Sequence, residues 1–148
     1  GCDCLVVGAR PETRPDSSVM LSAERVARNW MSDYAGGCHC GAVRFTVNMD
    51  SPRTGLYRCN CSLCRKKGII MKPVPVANLV LLAGAEHLSL YQWNKRIAEH
   101  FFCAICGVYT HHRRRRDPSQ YSINIECLDE QPMPEIASVG LVNGLEHE

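Results

Sequence analysis

At 148 residues, with 45% apolar and 22% charged side chains, the chain is sized for one domain around one core, and its ten cysteines are too sparse for a disulfide scaffold. No stretch approaches the roughly 20 apolar residues of a membrane span, and Cys4-Leu-Val-Val-Gly-Ala9 is too short, and lacks a basic lead-in, for a secretory signal. A formal charge of +2 is weak evidence for a nucleic-acid partner, so the chain is placed in a reducing cytoplasm with its clustered thiols metallated.

In chain order, residues 10–18 (Arg-Pro-Glu-Thr-Arg-Pro-Asp-Ser-Ser) read as a linker. Ser22 then caps a short amphipathic helix in which Ala23, Val26, Ala27 and Trp30 recur on one face. Such a helix would pack on the domain or on a neighbouring subunit, which leaves room for a homo-oligomer. Met31-Ser-Asp-Tyr reads as a natural start, so residues 1–30 form an extension and residues 31–148 the domain.

From Ala42 onward the pattern is β. Val43–Val47, His87–Trp93 and Gln120–Ile125 alternate, and Asn78–Leu82 is a short apolar run. Ile69–Met71 precedes Pro73 and Pro75, which confine that stretch to an edge or a loop. Ser62–Lys67 has room for one helical turn, stopped by Gly68. Tyr91 and Trp93 are expected in the core, and Cys127 as a buried small apolar residue. The fold class is therefore mainly β, built from small antiparallel sheets.

Seven cysteines fall into three clusters: Cys38-His-Cys40, Cys59-Asn-Cys61-Ser-Leu-Cys64 and Cys103-Ala-Ile-Cys106. Neither two-cysteine cluster closes a tetrahedron alone, so Cys38 and Cys40 are expected to share a structural zinc with Cys103 and Cys106. Cys59, Cys61 and Cys64 lie close enough for one loop to wrap a second ion. Its fourth position goes to water, to a substrate thiol, or, in a purely structural site, to Cys127 or a histidine. Three ligands hold more weakly than four, so partial occupancy is expected there. With two Zn²⁺ and seven thiolates the formal charge becomes −1.

Gly37–Phe45, Cys59–Gly68, His100–Val108 and Arg116–Asp129 resemble the glutathione-dependent formaldehyde-activating enzyme and centromere protein V superfamily, over about Tyr34 to Asp129. The resemblance implies a zinc-stapled β-tent, with Cys38, Cys40, Cys103 and Cys106 structural and Cys59, Cys61 and Cys64 at the reactive zinc. It further implies a carbon–sulfur lyase that joins or separates a thiol, such as glutathione, and a small aldehyde. Three thiolate donors make zinc a poor Lewis acid for hydrolysis but leave it able to deprotonate a visiting thiol. Arg65, Lys66 and Lys67 read either as partners for substrate carboxylates or as a solvated face. Arg113–Arg116 read as a solvated loop, with contact to phosphates or an anionic substrate as the alternative. His39 is expected to cap or pack, and His100, His111 and His112 to make ordinary hydrogen bonds, with His111 or His112 the candidate proton donor. Two rival readings remain: a non-enzymatic zinc module for protein or nucleic acid, and a redox-responsive protein that releases zinc.

Overall fold

The computed structural model describes residues 31–148, and the expected N-terminal helix and the Cys2–Cys4 pair lie outside them. Two sheets face each other across the main core. The smaller is antiparallel, in the order β1 (Ser32–Gly37), β2 (Arg44–Met49), β5 (Leu79–Ala83). The larger contains β3 (Tyr57–Cys59), β4 (Met71–Pro75), β6 (Leu88–Tyr91), β7 (Glu99–Cys103), β8 (Tyr109–Arg113), β9 (Gln120–Asn124) and β10 (Gly140–Val142), ordered β10-β3-β4-β9-β8-β7-β6. Neighbours in it are antiparallel except β10 and β3, which run parallel, so this sheet is mixed where an antiparallel one was expected. Among the described residues no helix is long and apolar enough to cross a membrane.

Alternation in β2 drives the packing. Phe45, Val47 and Met49 turn inward against Val74, Ile123, Ile125 and Leu128, and Cys127 is buried among them with its thiol on the Tyr109 carbonyl. The two sheets are tied at their rims by the Gly36–Leu128 bridge and the Arg44–Asp129 ion pair.

The prolines of β4 do not exile it to an edge, because it pairs along its full length with β9. The Ile125 N–H bonds the Ile70 carbonyl and the Val76 N–H bonds the Ser119 carbonyl, which puts the even-numbered residues of this stretch in hydrogen-bonded pairs. Pro73 and Pro75 therefore turn their ring nitrogens away from β9. On that side β3 meets β4 only at Tyr57–Met71, so no ladder bond is lost.

Tyr91 also departs from expectation. β6 is the outer strand of the larger sheet and ends there, leaving the residue 46% exposed; Trp93, beyond the strand, is half-buried against a second core of Cys61, Cys64, Ile69, Met71 and Tyr109. The apolar run in β5 forms a strand as expected, but at the edge of the smaller sheet, with Val80 and Leu82 more than half exposed.

Candidate functional site

Both two-cysteine motifs are turns in which the residue after the second cysteine is a glycine with positive φ, Gly41 at 78° and Gly107 at 77°. A side chain at either would meet no neighbour, so the requirement is torsional: only glycine takes this conformation without strain. The turns face each other. Cys38 Sγ lies 3.5 Å from Cys40 Sγ, which lies 3.8 Å from Cys103 Sγ, and Cys106 completes a group whose sulfurs all fall within 4.8 Å of one another. These separations match the roughly 3.8 Å edge of a sulfur tetrahedron with metal–sulfur bonds of about 2.3 Å. Cys38 and Cys103 are buried, Cys40 is exposed, and the His39 side chain is exposed between the first pair.

Cys59, Cys61 and Cys64 form a second group within the same limit, and no fourth histidine, cysteine, aspartate or glutamate joins them among the described residues. Cys59 ends β3. Cys61 caps α1 (Ser62–Lys67), its sulfur accepting from the Cys64 N–H at 3.4 Å, and Gly68 ends the helix in the left-handed conformation. The cap geometry thus aims two thiols at the third. Cys127 stays in the main core, so it does not complete this group.

The sulfurs are electrostatically unequal. Burial works against ionisation of Cys38, yet the Val43 N–H and the thiols of Cys40 and Cys103 hold it below the usual thiol range. Cys106 is held down to about 6 by the Cys40 and Val108 N–H groups. The Ala42 N–H favours the Cys40 thiolate, but the side-chain hydrogen bond with Cys38 pushes Cys40 up to about 12. In the second group the Cys64 thiol holds Cys59 down to about 5, while Cys64 is driven far up by that same neighbour and by burial, and Cys61 up by burial. A thiolate in each group suppresses ionisation of its neighbours, and a divalent cation removes that repulsion. All-sulfur donor sets at these separations fit a soft or borderline metal ion, so either group could hold one.

The second group opens on a cavity of about 120 Å³, walled by Trp93, Ile97, His100 and His112 among others. The imidazoles stack at 5.1 Å, and His100 Nδ1 meets the Tyr109 hydroxyl at 2.8 Å. Among the described residues, His112 Nδ1 is the buried side-chain polar atom with no hydrogen-bond partner. Burial holds His100 down to about 4 and His112 to about 3, so both rings are neutral at pH 7. His111 is turned elsewhere, stacked on Phe101 and bonded to Thr110 Oγ1 at 2.9 Å.

Arg65 and Lys66 are exposed on α1 and take no part in the cavity wall, while Lys67 sits 5.3 Å over the rings of Phe102 and Tyr109. The cations in the wall are Lys95 and Arg115.

Gly144 had no signal in the sequence, yet its backbone lies directly on the thiols. Asn60 Oδ1 accepts from its N–H at 2.8 Å, and that backbone also favours the Cys59 thiolate. A Cβ there would overlap Cys59 Sγ and stand 2.8 Å from Cys61 Cβ. Gly144→Ala is expected to displace Cys59, lowering metal content by up to one equivalent per chain while shifting the melting temperature by only a few degrees. Unchanged metal content would show that the contact is dispensable.

Residues 33–139 match the family described as glutathione-dependent formaldehyde-activating enzyme. A Halomonas elongata protein provisionally named as a glutathione-dependent formaldehyde-activating enzyme is 39% identical over 80 residues, which are 49% of this chain and 50% of that protein. The chain thus spans about half the length of this curated relative. A crystal structure of a Rhodobacter sphaeroides protein superposes with a TM-score of 0.69 at 39% identity, covering 73% of this chain and 99% of that one.

Proposed function

The chain belongs to the glutathione-dependent formaldehyde-activating enzyme family, and from that premise we propose that it is a zinc-dependent carbon–sulfur lyase joining and separating a small thiol and a small aldehyde. One observation carries the reading: three thiols converge on an open cavity with no fourth protein ligand among the described residues. Cys38, Cys40, Cys103 and Cys106 would hold a structural zinc, and Cys59, Cys61 and Cys64 a second, more weakly held one. A zinc ion in the three-cysteine site supplies the positive charge that keeps a visiting thiol in its thiolate form at neutral pH.

The chain's own groups do the rest. Trp93 and Ile97 give the cavity an apolar wall that displaces water from a small aldehyde. The thiolate sulfur adds to the carbonyl carbon, and the π pair moves to oxygen. That oxygen takes from solvent the proton the thiol had released to it, giving the S-hydroxyalkyl product, and no oxidant is needed. Neutral His112, which lines the cavity beside the three thiols, is suited to donate a ring N–H hydrogen bond to the developing alkoxide. His100 is held in register by the Tyr109 hydroxyl. In reverse, the same groups assist cleavage of the carbon–sulfur bond.

Magnetisation-transfer NMR tests this with ¹³C-formaldehyde and glutathione. Metal-loaded protein is expected to speed exchange between hydrated formaldehyde and the S-hydroxymethyl adduct well above the spontaneous rate. Exchange no faster than in protein-free buffer, for glutathione and for a neutral thiol alike, would refute the lyase assignment.

A further inference from the structure

A second cavity, of about 110 Å³, shares Cys59, Cys64, His112, Arg115 and Gly144 with the first. Its remaining wall includes Arg114, Arg116 and Tyr57, and among the described residues that line it there is no carboxylate. The arginine run is therefore not simply a solvated loop. It starts at the end of β8, where His112 already lines both cavities together with Cys59 and Cys64, so the next three residues are carried to the same rim.

The four arginines divide their work. Arg113 is structural: its Nε donates to Glu99 at 2.9 Å and another nitrogen to the Pro118 carbonyl at 3.0 Å. Arg114 donates to the Gln120 side-chain oxygen and sets its guanidinium 5.9 Å from the Tyr57 ring centroid. Both contacts are to neutral groups and orient the guanidinium, while the Asp117 carboxylate feels its charge through space. The cluster beside it is acidic in character. Three thiolates with one divalent cation retain a net negative charge, and a fourth, substrate thiolate adds to it. An acidic thiol would be repelled from such a site unless fixed cations offset the charge.

We propose that Arg114, Arg115 and Arg116 form a subsite that binds the carboxylate of an acidic thiol and so holds its sulfur beside Cys59 and Cys64. This deepens the lyase reading and rests on it for the identity of the visiting sulfur, while carboxylate recognition itself can be measured without turnover. Guanidinium groups suit the task because their planar fork matches a carboxylate. The basic end of α1, the other candidate for this role, lies outside both cavity walls.

The test is calorimetric titration of the metal-loaded full chain with S-methylglutathione, which keeps the carboxylates and cannot turn over, and with its diethyl ester. Esterification is expected to weaken binding about 10- to 100-fold, the loss typical of a charged hydrogen bond. Arg115→Gln with Arg116→Gln should weaken the free acid by a similar factor and leave the ester nearly unaffected. Equal binding of acid and ester by the unaltered protein, or no binding of the acid at all, overturns the subsite without depending on how any variant folds. So does full retention of acid binding in the arginine variant, or a loss seen instead on removing equal charge from α1 with Arg65→Gln and Lys66→Gln. Carboxylate-dependent binding without formaldehyde exchange would leave the subsite standing and the lyase reading refuted. Exchange that ignores the carboxylates would do the reverse.

Discussion

Serine in place of Cys103 is expected to cost the protein one metal equivalent and its cooperative fold together. Cys103 is fully buried at the end of β7, with its thiol 3.8 Å from Cys40 on the opposite turn. The four-cysteine group is the meeting point of the β1–β2 and β7–β8 turns, and therefore of the two sheets. The structural zinc proposed for it would contribute, as in small zinc-dependent domains, on the order of 10 kcal/mol or more. The whole stability of a typical domain is about 5–15 kcal/mol. Serine is a poor ligand, so most of that contribution goes with the sulfur. Thermal melting by circular dichroism and metal analysis of the same sample check the result. Two-state melting within a few degrees of the unaltered protein, with both metals present, would show that this cluster is not a staple.

Cys64→Ser should have the opposite profile: a fold that survives and chemistry that does not. Cys64 is buried in α1, in the wall of the cavity, and belongs to a sulfur group separate from the inter-sheet one. Loss of one of three ligands leaves two, too few to retain the ion. Even residues that merely orient metal ligands cost about 10- to 100-fold in affinity or activity when changed, so formaldehyde exchange should fall by about 100-fold or more. Melting should drop by several degrees, since the site joins β3 and α1 to the second core. Metal content should fall by up to one equivalent. Unaltered exchange would remove Cys59, Cys61 and Cys64 from the chemistry. Complete unfolding, as for Cys103→Ser, would erase the distinction between the two clusters.

Much of this architecture was legible because period-two hydrophobicity and turn chemistry are local signals. β2 alternates and faces a core, and the Ser62–Lys67 turn ends at Gly68, as read. Legibility fails where burial comes from distant partners. β8 reads Tyr-Thr-His-His-Arg, which no alternation marks as a strand, yet four of its five residues are buried because neighbouring strands and the site cover it. β4 carries two prolines that would disqualify an interior strand, and only the short reach of β3 makes them harmless. Tyr91 kept its alternation but sits on an outer strand with too little to pack against. In the site, the cysteine spacing announced which thiols could meet, because each motif closes over a few residues. The placement of Arg114–Arg116 and Gly144 beside them depends on where β8 and β10 end, which no local pattern encodes.

The inter-sheet sulfur group also bears on how the polypeptide is made. Its first ligand, Cys38, leaves the ribosome long before its last, Cys106, and β3 must wait for β10 to arrive beside it. The early hairpin of β1 and β2 therefore emerges with its apolar face uncovered and two thiols unclaimed. A nascent chain in that condition is open to aggregation and to stray oxidation until Cys103 and Cys106 have emerged. Capture of the proposed structural zinc by this group must wait for its second turn, so scarcity of zinc during synthesis should reduce the yield of native protein more than an equal scarcity imposed after folding.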